Sequence, residues 1–177
     1  MIRRLDPAEA EARLDELALL LRDAVESGAS IGFLLPLGHA EIEAYWQSVF
    51  ARLREGGQLL LAAFEGEALI GSVQLGLEPR ANGRHRAEVM KLMVLRSHRR
   101  RGAGRTLMLA LLDAARACGR TLLLLDVRTG DPAERLYRSL GFMPFGRVPD
   151  HAQSPDGRLA DTTFHYLDLR AASRGPR

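Results

Sequence analysis

Apolar residues recur along this chain with two periods. Between residues 7 and 27 they return every three or four positions, so Leu14, Leu17, Ala18, Leu21 and Val25 share one face of a helix. Asp6-Pro7-Ala8-Glu9 starts it, with Asp6 as N-cap, proline at the first position and Glu9 placed to bond back to the cap. Gly28 stops it. A second helical stripe, Ile42, Trp46, Val49, Phe50 and Leu53, ends at Gly56-Gly57. The period then shortens. Residues 58–64 and 68–77 read as strands joined by the Glu65-Gly66-Glu67 turn, and residues 87–95 as a third strand after a polar loop over 79–86.

The next helix, over 105–118, is apolar round most of its circumference and is expected to lie buried against the sheet. Thr121 to Val127 is nearly continuous apolar sequence ending at Asp126. That pattern suits a central strand covered on both faces and parallel to its neighbour. Asp131-Pro132-Ala133-Glu134 has the form of a second capping box, opening a short helix that carries Leu136, Tyr137 and Leu140. Strands over 142–148 and 162–169 follow, and Met1 to Leu5 reads as a short edge strand. Gly28 to Gly38 fits neither period. It is an apolar loop with glycines, which suits equally a wall of a functional site and a segment buried for packing.

The pattern predicts an α/β fold of the mixed α+β kind, with a central mixed sheet of six to seven strands flanked by about four helices. The 177 residues make one domain over 1–170 and a polar tail over 171–177. No apolar run approaches the roughly 20 residues that span a bilayer, and the N-terminal residues lack the apolar core of a signal peptide. A single cysteine, Cys118, forms no intramolecular disulfide. These features lead us to expect a cytoplasmic protein without membrane association.

Charge sharpens the picture. Residues 84–105 carry eight cations and one anion, whereas the rest of the chain has a net charge of −4. A compact basic patch suits a small polyanion. Nucleic acid calls for a broader basic face with aromatic or helical readers, and no aromatic residue is interleaved here, so no nucleic-acid partner is expected. The patch lies between a strand and a helix, where Arg99, Arg100, Arg101 and Arg105 surround Gly102-Ala103-Gly104. The first turn of a helix offers unpaired N–H groups and a positive dipole end, and glycines let an anion approach the backbone. This is a diphosphate site in principle. The spacing matches neither Gly-x-Gly-x-x-Gly nor Gly-Lys-Ser/Thr. No His/Cys cluster has metal-ligand spacing, and no metal is expected.

Arg99-x-x-Gly102-x-Gly104, following Leu92-Met93-Val94, resembles the coenzyme A signature of the GNAT N-acetyltransferase superfamily, Gln/Arg-x-x-Gly-x-Gly/Ala. Ala133-Glu-Arg-Leu-Tyr137-Arg-Ser-Leu-Gly141-Phe142 is similar to its second signature, Ala-x-x-Leu-Tyr-x-x-x-Gly-Phe, in the expected order and context. Gly28-Ala-Ser-Ile-Gly-Phe, Arg86-Ala-Glu-Val-x-Lys-Leu-Met-Val-Leu and Pro155-Asp-Gly-Arg-Leu resemble the tabtoxin-resistance-like branch of small-molecule acetyltransferases. The resemblance implies an acyl-CoA N-acyltransferase fold and transfer of acetyl from acetyl-CoA to a small amine through a ternary complex, with a role in detoxification or resistance, as a monomer or homodimer. It implies a cofactor arm held by backbone groups of Leu92, Met93 and Val94. The pyrophosphate would sit on N–H groups from Arg100 to Arg105, with Arg99 and Ala103 in the same loop. Where the superfamily often has an Asn that helps hold the arm, this chain has Gly130.

Three residues are candidates for the chemistry. Glu88 is first choice as the base, or else a solvated carboxylate paired with Arg84 or Arg86. A straight strand puts it about 13 Å from Leu92, at ~3.3 Å per residue, so it acts through water unless the strand bends. Asp126 ends a parallel strand, where α/β sites gather, and either helps bind the substrate ammonium or caps a turn through Arg128 and Thr129. Tyr137 matches the superfamily tyrosine that protonates the leaving thiolate; a core tyrosine is the alternative. Two other functions remain open at this stage: acetylation of a protein N-terminus or lysine, and a non-catalytic module binding acyl-CoA or nucleic acid.

Overall fold

The computed structural model describes residues 1–170; the polar tail expected over 171–177 lies outside the described residues. In chain order the elements are β1 (Ile2–Leu5), α1 (Pro7–Ala12), α2 (Leu14–Glu26), α3 (His39–Arg54), β2 (Gln58–Glu65), β3 (Ala68–Leu77), β4 (Arg86–Val94), α4 (Ala103–Ala117), β5 (Leu122–Arg128), α5 (Ala133–Ser139), β6 (Met143–Gln153) and β7 (Leu159–Asp168). The seven strands form one sheet in the order β1-β2-β3-β4-β5-β7-β6. Only β4 and β5 pair in parallel, joined by α4; the other neighbours are antiparallel. No helix among the described residues is long and apolar enough to cross a membrane.

The continuous apolar runs of β2 and β3 follow from cover on both faces. Along β2, Leu60, Ala62 and Phe64 join the core under α1–α3, around Trp46, Phe50 and Leu17. Leu59, Leu61 and Ala63 alternate with them into the core under α4, around Leu107, Met108 and Leu111.

Sequence expectations are corrected at several points. The first helix is two, broken at Arg13 (φ −108°, ψ 22°), whose guanidinium leaves the helix axis for Glu16 (2.6 Å) and the Phe64 ring. The Asp6–Glu9 capping box forms, with Glu9 N–H donating to Asp6 Oδ1 at 2.8 Å and Asp6 N–H to Glu9 Oε2 at 3.3 Å. At α5 the box does not form: Asp131 Oδ1 accepts from Ala133 N–H at 2.9 Å, but Asp131 N–H donates to the Arg128 carbonyl. Helix α4 starts at Ala103 and is buried along one stripe only, with Leu109 on the outside. Strand β5 is covered on one face. Leu123 and Leu125 are buried, while Leu122, Leu124 and Asp126 face partly open space. Strand β6 runs to Gln153, five residues past the expected end, because it pairs with β7 in a long hairpin at the sheet's edge.

Gly71 of β3 lies opposite Val94, at the end of β4 that leads into the arginine loop. A Cβ there would stand 2.8 Å from the Met93 carbonyl oxygen, which the sheet holds in place. We expect Gly71→Ala to lower unfolding stability by about 1–3 kcal/mol, as overpacking a rigid site does. Denaturant midpoints at unchanged m-value check this, and equal midpoints would refute the assigned register.

Candidate active site

The parallel pairing of β4 and β5 covers three positions: Arg86↔Leu122, Ala87↔Leu123 and Glu88↔Leu124. Past Glu88 each strand keeps its outer partner, β3 for β4 and β7 for β5, but the two no longer bond to each other. The sheet forks there. On the β4 side the cause is local. The β3–β4 register shifts between Ser72 and Gln74, and Lys91 takes a left-handed backbone conformation (φ 51°). This bulge bends the strand that a straight-chain estimate carried about 13 Å from Glu88 to Leu92. The β5-facing edge of residues 89–94 is thereby left without a strand partner.

A cavity of about 470 Å³ fills the fork. Glu88, Asp126 and Tyr137, singled out separately in the sequence, all line it. Glu88 and Asp126 share one face, since Glu88 pairs with Leu124 and Asp126 lies two residues further on. Arg86 is bound to Glu78 at 3.1 Å and not to Glu88. Arg128 and Thr129, the partners of the turn-capping alternative for Asp126, are engaged elsewhere: Arg128 with Asp131 (3.2 Å) and the Gly28 carbonyl (3.1 Å), and Thr129 with Thr163 (2.8 Å). Glu88 keeps solvent contact through the cavity, while surrounding protein desolvates it enough to raise its pKa. The Asp126 charge raises it further and Lys91 opposes both.

Tyr137 is 8% exposed, packs against Phe142, and among the described residues its hydroxyl has no hydrogen-bond partner. Burial, then the charges of Asp131 and Asp126, push its pKa well above that of an ordinary phenol. It therefore stays protonated, a donor with an unused proton facing the cavity.

The expected cofactor residues lie beside the fork. Leu92, Met93 and Val94 are on the unpartnered arm of β4, and α4 begins after Gly102 (φ 90°) with no side-chain cap on its first turn. The arginines divide into two groups. Arg99 turns inward, its Nε donating to the Val94 carbonyl (2.8 Å) and its Nη2 to Ser27 Oγ (2.7 Å), with Asp23 at 3.7 Å. Arg105 donates to Ser139 Oγ at 3.0 Å. Arg100 and Arg101 are exposed and, among the described residues, have no carboxylate partner. Gly130 sits at a left-handed position (φ 82°), where glycine is unstrained and supplies no amide side chain.

Sequence reasoning missed two contributors, Asp23 and Lys91, and left the role of the 28–38 loop open. Asp23 accepts from Arg96 N–H (2.9 Å) and Nε (2.7 Å), tying the arginine loop to α2. Nothing in a helical periodicity reveals such a pair across 73 residues. Lys91 lines the cavity because of the bulge, which the regular strand pattern conceals. Burial lowers its pKa, partly offset by Asp126 and Glu88. The loop over 29–34 roofs the same cavity, with Phe33 buried and Leu34 exposed, so its apolar character serves both packing and the site. No group of three or more His, Cys, Asp or Glu among the described residues could hold a metal ion.

Comparison with known proteins adds the chemistry. Residues 20–142 match the acetyltransferase (GNAT) family. An L-methionine sulfoximine/L-methionine sulfone acetyltransferase of Pseudomonas paraeruginosa is 28% identical over 166 residues, 93% of this chain and 94% of that protein. Among solved structures, a ribosomal-protein-alanine N-acetyltransferase of Brucella melitensis superposes with a TM-score of 0.80 at 28% identity, covering 96% of this chain and 99% of that one. The acetyltransferase yncA of Salmonella typhimurium, solved with its cofactor acetyl-CoA, superposes with a TM-score of 0.76 at 27% identity, covering 96% and 93%.

The Glu88–Asp126 coupling has a measurable consequence. Removing the Asp126 charge takes away a cause that raises the Glu88 pKa. The acid limb of kcat/KM in Asp126→Asn should therefore move to lower pH than in the wild type, whatever the loss in absolute rate. A limb that stays in place or moves upward would show that the two carboxylates titrate independently.

Proposed function

The chain belongs to the GNAT acetyltransferase family, and from that premise we propose that it moves the acetyl group of acetyl-CoA onto the amine of a small, amino-acid-like molecule by direct attack. The observation that carries the reading is the convergence of Glu88, Asp126 and Tyr137 on one cavity at the fork between β4 and β5. Acetyl-CoA supplies an activated thioester. The fork suits its arm: an unpartnered strand edge offers backbone groups from Leu92 to Val94, as an added strand would use them, apart from the Val94 carbonyl that Arg99 Nε already bonds. The uncapped first turn of α4, from Gly102 through Ala103 and Gly104 to Arg105, suits its pyrophosphate, and Arg100 and Arg101 supply free positive charge. Arg99 serves this site indirectly, by fixing the loop to α2.

In this reading Glu88 and Asp126 bind the incoming ammonium and accept, through water, the proton it must lose before its lone pair is free. The amine nitrogen bonds to the acyl carbon as the carbon–sulfur bond breaks. Tyr137 gives its proton to the departing sulfur and regains, through water, the second proton that the nitrogen loses on becoming an amide. Amine, thioester and proton balance as amide, thiol and one proton released to Glu88 or Asp126. No covalent enzyme intermediate is required, and Cys118, on the far end of α4, takes no part.

The acceptor side favours a small molecule. The 29–34 loop and the end of β6 close over the cavity, which leaves about 470 Å³ for the reacting groups. The Pseudomonas relative named for methionine sulfoximine and methionine sulfone suggests the same class of amine for this chain, and a role in detoxification or resistance is part of the same proposal.

Acetyl-CoA should raise the melting temperature of the wild-type chain, and thiol release across a panel of small amines should then identify acceptors. Tyr137→Phe should lower kcat by about tenfold or more while changing the KM for acetyl-CoA by less than about threefold. Unchanged turnover in the variant would remove Tyr137 from the chemistry.

A further inference from the structure

Two cationic side chains line the fork cavity, Lys91 and Arg128, apart from the imidazole of His151. They are in different states. The Arg128 guanidinium is fully engaged, by Asp131, the Gly28 carbonyl and Ser154 Oγ at 3.1–3.2 Å. Lys91 has no such partner. Among the described residues its ammonium makes no ion pair and no hydrogen bond, although the side chain is largely withdrawn from solvent. Its nearest company is aromatic: Nζ stands 5.9 Å from the ring centroid of Phe33 and 5.9 Å from that of Tyr45, the outer edge of useful cation–π distance.

This placement is built. The bulge (φ 51°) turns Lys91 toward the cavity. The Tyr45 ring is fixed from below, since its hydroxyl donates to Gln74 Oε1 at 2.9 Å and it meets Phe33 in a T-shaped pair with ring centroids 5.2 Å apart. From above, the roof comes down at Gly32, where a Cβ would lie 3.5 Å from Lys91 Nζ. Lys91 Nζ is not among the buried atoms left without a partner, so it reaches the open cavity, where water or a ligand can accept from it. Across the same cavity Glu88 and Asp126 present the opposite charge.

We propose that Lys91 is the anion subsite of the acceptor pocket: it receives the carboxylate, or another acidic group, of a zwitterionic amine whose ammonium lies against Glu88 and Asp126. This assignment rests on the small-amine reading above and narrows it to substrates carrying an anionic group close to the reacting nitrogen. An amine without that group leaves Lys91 unpaired and should bind less well. A polyamine, with further positive charge, should be rejected.

The test compares L-methionine sulfone with 3-(methylsulfonyl)propylamine, the same molecule without its carboxylate, by thiol release from acetyl-CoA. The wild-type chain should favour the amino acid by at least about tenfold in kcat/KM, chiefly through KM. Lys91→Met should reduce that ratio to within about threefold of unity. Lys91→Arg, which keeps the charge, should retain most of it, and melting temperatures of both variants exclude misfolding as the cause. A wild-type chain that acetylates both compounds equally, or a ratio that survives Lys91→Met, overturns the Lys91 assignment and leaves the small-amine reading standing. Failure of the wild type on both compounds, and on other small amines, overturns that reading and the Lys91 assignment with it.

Discussion

The molecule depends on a limited stretch of hydrogen bonding. Two neighbouring parallel strands pair for three residues and then part. Backbone groups that lose a sheet partner must be satisfied by something else, by water or by a ligand. Here the strands part where each is still held by its outer neighbour, so the fork is rigid on both arms. That rigidity lets an open edge persist inside a well-packed sheet. The bulge at Lys91 makes the divergence local, and the β5–β7 ladder, intact from Leu122 to Arg128, keeps the other arm straight. A fork of this kind supplies backbone donors and acceptors to an extended ligand, and it brings side chains from both strands to its floor.

The arginine loop shows how few of the cations in a basic patch remain free. Of the four arginines around Gly102-Ala103-Gly104, Arg99 and Arg105 are spent on structure: Arg99 on the Val94 carbonyl and Ser27, Arg105 on Ser139. Asp23 and Ser27, at the C-terminal end of α2, act as the anchor from which the loop is hung. Cations at that end also complement the α2 dipole. The consequence is a division of labour. The interior arginine holds the loop in the shape that exposes the first turn of α4, and Arg100 and Arg101, at its surface, carry the unpaired charge.

Much of this was legible before any coordinates. The seven strands and the helices leave clear periodic marks, because β2 and β3 are buried on both faces and α2 and α3 on one. The strand–loop–helix and the Ala133–Phe142 motif are local in sequence, so each could be recognised as a unit, but not the fork that brings them together. What could not be read is nonlocal or irregular. The break at Arg13 arises because its side chain is drawn to Phe64, fifty-one residues away. The half-open face of β5 was hidden because four leucines look alike whether a helix covers them or a cavity does. Lys91 was hidden for a sharper reason. In a regular strand it would alternate with Glu88 and Met90 in a fixed order, and the one-residue bulge that changes its direction leaves no compositional trace.

The electrostatics of the fork argue for the kind of acceptor it takes. Glu88, Asp126 and the Lys91 ammonium line one cavity, and among the described residues they form no ion pair with one another. If the site served catalysis on any amine, the ammonium would be a liability, since it repels a cationic substrate and draws charge away from the base. If it served only to stabilise the fold, Lys91 would be expected to close on Glu88 or Asp126, as Arg86 closes on Glu78 and Arg128 on Asp131. It does neither, because the aromatic wall of Phe33 and Tyr45 and the Gly32 roof hold it apart. Keeping opposite charges separated in a confined space is unfavourable for the empty protein and favourable for a ligand that bridges them. A zwitterion with adjacent ammonium and carboxylate groups is such a ligand, and the fork then selects its substrate by the charge pattern at one carbon.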